Sequence, residues 1–195
     1  MKKSVTIIVI IAVVAALVFW IVGKYNAMVT AEENVKTAWA QVENQYQRRS
    51  DLIPNLVATV KGYAAHESQV LESVVAARAK ATQVVVDPSQ ASPEQLAAYQ
   101  ASQGELSQAL GRLLAVTENY PDLKADKNFR DLQEQLEGTE NRITVARNAF
   151  NEAAQDYNRM IRLFPNNIVA SIFGFQQKAY FAAEAGAEKA PVVAF

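Results

Sequence analysis

The sequence predicts an all-α protein in which an N-terminal transmembrane helix continues into an antiparallel bundle of long helices. Three observations predict this fold class. An apolar run from Val5 to Val22 opens the chain. Beyond it, apolar residues recur at spacings of three and four, and no segment alternates with the period of two that is typical of strands. The 195 residues contain only seven glycines and six prolines, so breaks between helices are few.

Composition and charge exclude several classes of function. A formal net charge of −1 is not the basic footprint of a nucleic-acid-binding protein. The absence of cysteine excludes disulfides, thiolate metal sites, a cysteine nucleophile and a cysteine-linked lipid anchor. The length suits one bundle domain. We therefore divide the chain into a short cytoplasmic N-terminus (1–4), a transmembrane helix (5–22), a helical bundle domain (23–165) and an aromatic-rich C-terminal segment with a tail (166–195).

The apolar run is long enough to cross a membrane. At ~1.5 Å rise per residue, residues 5–22 span roughly 27 Å, close to the hydrocarbon thickness of a bilayer. Its C-terminal edge carries the amphipathic side chains that favour the headgroup layer, namely Phe19, Trp20, Lys24 and Tyr25. These features predict a single-pass membrane protein.

Lys2 and Lys3 precede the apolar run and bear on its processing and orientation. A cleavable signal peptide is the alternative to an anchor, but its apolar core usually has about 7 to 15 residues and no small-residue cleavage site follows Val22. The two lysines also favour a cytoplasmic N-terminus. We therefore expect an uncleaved anchor and an extracytoplasmic bundle.

The positions of proline and of capping residues predict the helix boundaries. Nothing between Lys24 and Pro54 breaks a helix, so the anchor and the first bundle helix are predicted to form one rod. Pro54 suits a first helical turn, with Asp51 as a candidate cap, so a second helix is predicted to begin there. The sequence Ser92-Pro93-Glu94-Gln95 predicts the start of a third helix. An apolar stripe from Phe129 to Phe164 predicts a long fourth helix with coiled-coil-like packing.

Several motifs, in order along nearly the whole chain, resemble the signature of the LemA family. They occupy residues 48–57 (RRSDLIPNLV), 60–64 (VKGYA), 118–125 (ENYPDLKA), 140–143 (ENRI), 157–158 (YN), 164–165 (FP) and 173–175 (FGF). The resemblance implies a bacterial single-pass membrane protein with an antiparallel bundle of long helices and no established chemistry. It also implies an association with membrane metalloproteases or with TPM-domain proteins as partners.

Charged residues on apolar stripes are candidates for buried ion pairs. Because an unpaired buried charge costs several kcal/mol, each needs a partner, and we expect pairing among Glu67, Arg78, Glu140 and Arg147, with Arg49 as a further counter-ion. A di-iron site would need Glu-x-x-His motifs on two helices, and none occurs. The single histidine, His66, has no recognisable catalytic partners. We therefore predict no catalytic residues, no metal site and no cofactor.

Two features near the C-terminus suggest contacts with other chains. Five apolar residues lie outside the four predicted helix stripes, and we take them as the candidate interface of a homo-oligomer: Ile168, Phe173, Phe175, Tyr180 and Phe181. The terminus itself has apolar residues at Val193 and Phe195 after a proline, a pattern suited to capture by strand addition. The simpler alternative is that no other protein recognises the terminus.

These observations favour a membrane-anchored helical scaffold or partner-binding protein that self-assembles and has no catalytic activity. The alternative function is an extracytoplasmic ligand-sensing or adaptor bundle for a membrane protease system. A chemoreceptor-like sensor would need a second apolar run, which the sequence does not contain. An enzyme would need a polar cluster in one pocket.

Overall fold

A single helix joins the N-terminal apolar segment to the far end of the bundle. In the computed structural model, which describes residues 2–182, this helix is α1 and runs Lys2–Tyr63. From Val22 to its end it extends about 60 Å at 1.5 Å per residue. Its first part is long and apolar enough to cross a membrane and lies fully exposed. The rod predicted from the absence of helix breakers is therefore present.

The prediction that a second helix begins at Pro54 is wrong, because α1 continues through this proline. Proline removes the N–H that would bond to the carbonyl four residues earlier, at Ser50. Arg78 replaces that donor, and its Nε lies 2.9 Å from the Ser50 carbonyl oxygen. Continuing the helix also keeps Ile53 and Leu56 buried on either side of the proline.

The remaining described elements are also helices. They are α2 (Ser68–Gln83), α3 (Pro93–Thr117), the short α4 (Pro121–Ala125), α5 (Lys127–Arg162) and α6 (Asn166–Phe173). The predicted start of α3 is confirmed, because Ser92 and Gln95 form a reciprocal capping box. Asp126 caps α5 by accepting from the Phe129 amide. A cis peptide bond joins Phe164 to Pro165, and Gly174, at φ 75°, ends α6.

Helices α1 and α5 are antiparallel along the length of the bundle. In the contacts between them, the residue number increases along α1 as it decreases along α5. The pairs are Gln45 with Arg142, Arg49 with Glu140, and Tyr63 with Asp126, the N-cap of α5. Helices α2 and α3 form a shorter hairpin packed beside them. The apolar segment of α1 is thus near the C-terminal end of α5, and the α1–α2 turn is at the opposite tip.

The bundle contains two separate apolar cores. The distal core, near the tip, is mostly aliphatic and includes Leu56, Val74, Leu106, Leu113, Phe129 and Leu136. The proximal core, nearer the membrane end, is rich in aromatic residues and includes Trp39, Tyr46, Tyr99, Phe150, Tyr157 and Phe181. The hairpin of α2 and α3 is too short to cover the whole proximal core. The α2–α3 loop and residues 175–182, which have no regular secondary structure, complete it.

Candidate functional site

Arg49 lies in a polar layer between the two cores. It projects from α1 and is 1% exposed. Its guanidinium donates to Glu140 Oε1 on α5 at 2.6 Å and, on α3, to Ser107 Oγ at 2.7 Å and Gln103 Oε1 at 2.7 Å. One side chain therefore fixes the relative heights of three helices, because a shift of one helix by a turn would leave a buried cation without its acceptors.

The four residues predicted to form buried ion pairs make their contacts at four different places. Glu140 pairs with Arg49, which was considered only as a further counter-ion. Arg78 donates to the Ser50 carbonyl beside Pro54. Glu67, near the tip, accepts from the Tyr120 hydroxyl at 3.0 Å. Arg147 donates to the Ala182 carbonyl and lies 5.1 Å from the centre of the Phe181 ring. Within the described residues, Glu67 and Arg78 form no salt bridge with each other.

A second buried cation, Lys178, escaped the sequence analysis. It is 6% exposed, and its Nζ lies 2.5 Å from Glu32 Oε1 on α1 and 2.8 Å from the Ser89 carbonyl in the α2–α3 loop. The ammonium also lies 5.3 Å from the Tyr157 ring centre. The sequence does indicate that Glu32 needs a counter-ion, because this carboxylate lies on an apolar stripe of α1. No local pattern in the sequence identifies Lys178 as that counter-ion.

Side-chain amides bind residues 175–182 to the bundle. Asn158 donates to the Lys178 carbonyl and accepts from the Lys178 amide, both at 2.8 Å. Asn151 bonds both backbone groups of Phe181 in the same way, and Gln100 of α3 bonds both groups of Ala182. Asn151 and Asn158 are seven residues apart on α5, which is about 10.5 Å along the helix axis. The residues that they bind, Phe181 and Lys178, are three residues apart, which is about 10 Å in an extended chain, so the two spacings match. We call this arrangement the amide ladder.

The five residues of the candidate oligomer interface are not equivalent. Phe181 is 5% exposed and packs in the proximal core, where its ring stacks on Trp39 at 5.7 Å. It is therefore unavailable to a second chain unless the core opens. Phe175 is partly buried, with its ring 5.6 Å from that of Tyr25. Ile168, Phe173 and Tyr180 remain about half exposed. The proposed recognition residues Val193 and Phe195 lie outside the described residues.

A groove of about 610 Å³ borders the polar layer. Its lining includes Arg49, Gln103, Glu140, Arg147 and Ala182. Burial raises the pKa of Tyr99 and raises that of Tyr157 to about 12, so both phenols stay neutral near pH 7. Within residues 2–182, no group of three His, Asp or Glu residues could hold a metal ion. His66 is exposed near the tip.

Comparison with known proteins gives this architecture a family. Residues 38–195 match the LemA family. The chain belongs to the LemA family. It is also similar to the magnetosome protein MamQ 2 of Paramagnetospirillum magneticum, with 29% identity over 86% of this chain and 68% of the relative. It is similar to MamQ of Magnetospirillum gryphiswaldense, with 29% identity over 81% of this chain and 64% of that protein. Protein LemA of Metamycoplasma hominis is 24% identical over 93% of this chain and 80% of the relative.

Membership of the family and the apolar N-terminal helix together make this a membrane-associated helical protein. The resemblance found in the motifs is confirmed. The chain spans about two thirds of the length of the magnetosome relatives that it matches.

Proposed function

We propose that this LemA-family protein is a membrane-anchored scaffold that self-assembles and binds partner proteins without catalysing a reaction. One observation carries the proposal: α1 runs without interruption from the apolar segment to the tip of the bundle. A continuous helix transmits its position along its length, so the tip is held about 60 Å beyond Val22. A rod of this kind suits the display of binding surfaces at a fixed height above a membrane.

The buried polar groups support a structural role for the interior. Arg49 of α1 donates to two other helices, α3 and α5. Lys178 joins the C-terminal segment to α1, and the Asn158 side chain is bonded to the backbone of Lys178. A catalytic group would instead have to remain free to meet a substrate in a pocket. Partner binding is therefore assigned to the outside of the bundle.

Self-assembly is supported by the single anchor and by exposed apolar side chains on the flank of the bundle. Val145 and Tyr180 border the outer face of α5 and are 68% and 47% exposed. Confinement of copies to one membrane raises their effective concentration, so weak contacts suffice.

Light scattering of the full chain in mild detergent tests self-assembly. The expected protein mass is a multiple of the 21.4 kDa chain. Because the protein lacks cysteine, Val145→Cys can also be oxidised to a disulfide between copies, with Val75→Cys on α2 as the matched exposed control. A 21.4 kDa protein mass at every concentration would contradict self-assembly.

We further propose that the protein lies in a bacterial inner membrane with its bundle outside the cytoplasm, which is motivated by Lys2 and Lys3 ahead of the apolar segment. Protease added to intact spheroplasts should then digest the bundle. If the protease digests the bundle only after the cells are lysed, the bundle lies in the cytoplasm and the proposed orientation is wrong.

The groove beside Arg49 favours one alternative function, an extracytoplasmic ligand-sensing or adaptor bundle for a membrane protease system. Arg49 Nε is buried and makes no hydrogen bond to a described residue, so its N–H could donate to an acceptor group of a ligand. Thermal unfolding with a panel of small carboxylates tests the sensing role, because a ligand of the native state raises the midpoint. Co-purification of a membrane metalloprotease or a TPM-domain protein from mild detergent would support the adaptor role.

A further inference from the structure

Apolar side chains cluster on the surface of the bundle at the end nearest the membrane. They lie at the corner between α5 and α6 and along α6. Each leaves 51–80% of its surface exposed: Leu163, Phe164, Ile168, Ile172 and Phe173. A patch of this kind is unusual on a water-exposed surface and indicates a contact.

The pairing of α1 with α5 gives the height of this corner above the apolar segment. Arg49 and Glu140 lie side by side, and both helices rise at the same rate. Counting down both helices from this pair places Arg162, the end of α5, beside residue 27 of α1. That position is roughly 7 Å above Val22, within the headgroup layer of a bilayer crossed by residues 5–22.

Helix α6 turns back from this corner and lies lower still. The Phe173 ring is 4.9 Å from the ring of Tyr25. Ile21, which belongs to the apolar run itself, is partly buried and packs against the proximal core, to which Val169 and Ala170 of α6 belong. Helix α6 therefore lies beside residues 21–25, at the depth where hydrocarbon gives way to headgroups.

The two sides of α6 and its surroundings suit that depth. Val169 and Ala170 are buried against the bundle, whereas Ile168 and Ile172, one turn apart, face outward. Arg159 and Arg162 lie in the last turn of α5, next to the corner. Apolar side chains flanked by cations are the composition of segments that lie in the interface of anionic bilayers.

We propose that α6 and the Leu163–Phe164 corner form a second membrane contact, an interfacial foot whose apolar side chains insert at the boundary between acyl chains and anionic headgroups. The proposal rests on the membrane anchor of the proposed function. A lone transmembrane helix tilts freely within wide limits. A second contact beside it restrains that tilt and so sets the direction in which the rod points.

Spin labels at single cysteines test the foot in the full chain, since the natural sequence has no cysteine to remove. We would label Ile172→Cys and Phe164→Cys, both at exposed positions that tolerate a label. Val13→Cys marks the middle of the span. Val75→Cys marks an exposed position on α2, one turn from Arg78, which contacts Ser50 about 40 Å above Val22. The chain is reconstituted in vesicles of phosphatidylcholine with one quarter phosphatidylglycerol.

The readout is the collision rate of each label with oxygen, which concentrates in acyl chains, relative to a nickel chelate, which stays in water and is loaded on both sides by freeze–thawing. For a foot in the bilayer, the ratio at residues 164 and 172 shifts from the value at Val75 toward that at Val13. A ratio equal to that at Val75 places α6 in water and overturns the proposal. Low collision rates with both reagents show that protein covers α6, which also overturns it in favour of a contact between copies.

The control labels separate failure of the foot from failure of the anchor. If Val13 behaves as a lipid-exposed position but residues 164 and 172 do not, only the foot is wrong. If Val13 is itself accessible to the nickel chelate, the anchor is wrong and the foot falls with it.

Discussion

The two halves of the bundle differ in how their cores are closed, although α1 and α5 run through both. In the distal half, three further helices, α2, α3 and α4, cover an aliphatic core. In the proximal half, an aromatic core is completed by the α2–α3 loop and by residues 175–182, which have no regular secondary structure. A heptad pattern therefore identifies the face that is buried but does not identify what covers it.

This difference gives the two halves different vulnerabilities. The distal core is covered by packed helices, whereas closure of the proximal core also depends on polar contacts that hold residues 175–182 in place. Arg49 lies between the halves and ties them into one unit. Substitutions in the core, the polar layer, the amide ladder and the proline site can therefore test each part of the comparison separately.

The largest effect is expected from Phe150→Ala in the proximal core. The Phe150 ring is 2% exposed and lies 5.3 Å from Trp39 and 5.4 Å from Phe181. Deleting a buried aromatic side chain costs about 3 to 5 kcal/mol. Urea unfolding of the full chain in mild detergent, followed by helical circular dichroism, measures this loss. Val145→Ala on the exposed side of α5 should stay within about 0.5 kcal/mol, and an equally small effect at Phe150 would remove it from the core.

Patterns in the sequence predict the helical parts of this fold well, for a physical reason. The membrane segment, the capping box of α3 and the apolar stripe of α5 each depend on residues close together in sequence. Pro54 was misread because its local preference for a helix start is outweighed by a donor, Arg78, that lies far along the chain. A substitute donor of this kind has no local signature.

The candidate site was predicted only in part, for the same reason. Glu140 could be recognised as a member of an ion pair from its place beside an apolar stripe of α5, although its side chain is 44% exposed. Lys178 could not, because residues 175–182 lack periodicity and their position depends on amides of α3 and α5. Phe181 was taken as surplus to the helix stripes, yet it fills the gap that those stripes leave near the membrane.

The polar layer should show the next largest effect, and it should be asymmetric. Glu140→Ala leaves the buried Arg49 cation without its carboxylate. We expect a loss of about 2 to 3 kcal/mol in the free energy of unfolding, at the low end for a buried pair, because the Glu140 side chain is 44% exposed and Arg49 keeps its acceptors on α3. Glu105→Ala is the matched control, because it breaks an exposed salt bridge with Lys80 and should cost less than about 1 kcal/mol. Equal losses in the two variants would mean that the layer is no stronger than a surface pair.

The amide ladder predicts a smaller, local effect. Asn158→Ala leaves the buried backbone N–H and carbonyl of Lys178 without partners, which should cost about 2 kcal/mol. Hydrogen exchange should show faster exchange at the Lys178 amide while the amides of α2 keep their protection. Asn148→Ala, at an exposed position of α5, is the control and should leave exchange unchanged. Faster exchange throughout the bundle would mean that residues 175–182 do not open independently of the helices.

The smallest effect concerns Pro54, and it distinguishes a substituted hydrogen bond from a chance contact. Arg78→Met should cost about 1 to 2 kcal/mol in the natural sequence, because the Ser50 carbonyl loses its donor. In a Pro54→Ala background, the new backbone N–H can bond that carbonyl, so the same substitution should cost about 1 kcal/mol less. The gain in helix propensity from alanine cancels in the double-mutant cycle, which urea unfolding of the four chains measures. Lys80→Met, on the same helix but paired with Glu105, should be additive with Pro54→Ala. If Arg78→Met is equally additive, Arg78 does not compensate for the proline, and the continuity of α1 must then depend on the packing of Ile53 and Leu56 alone.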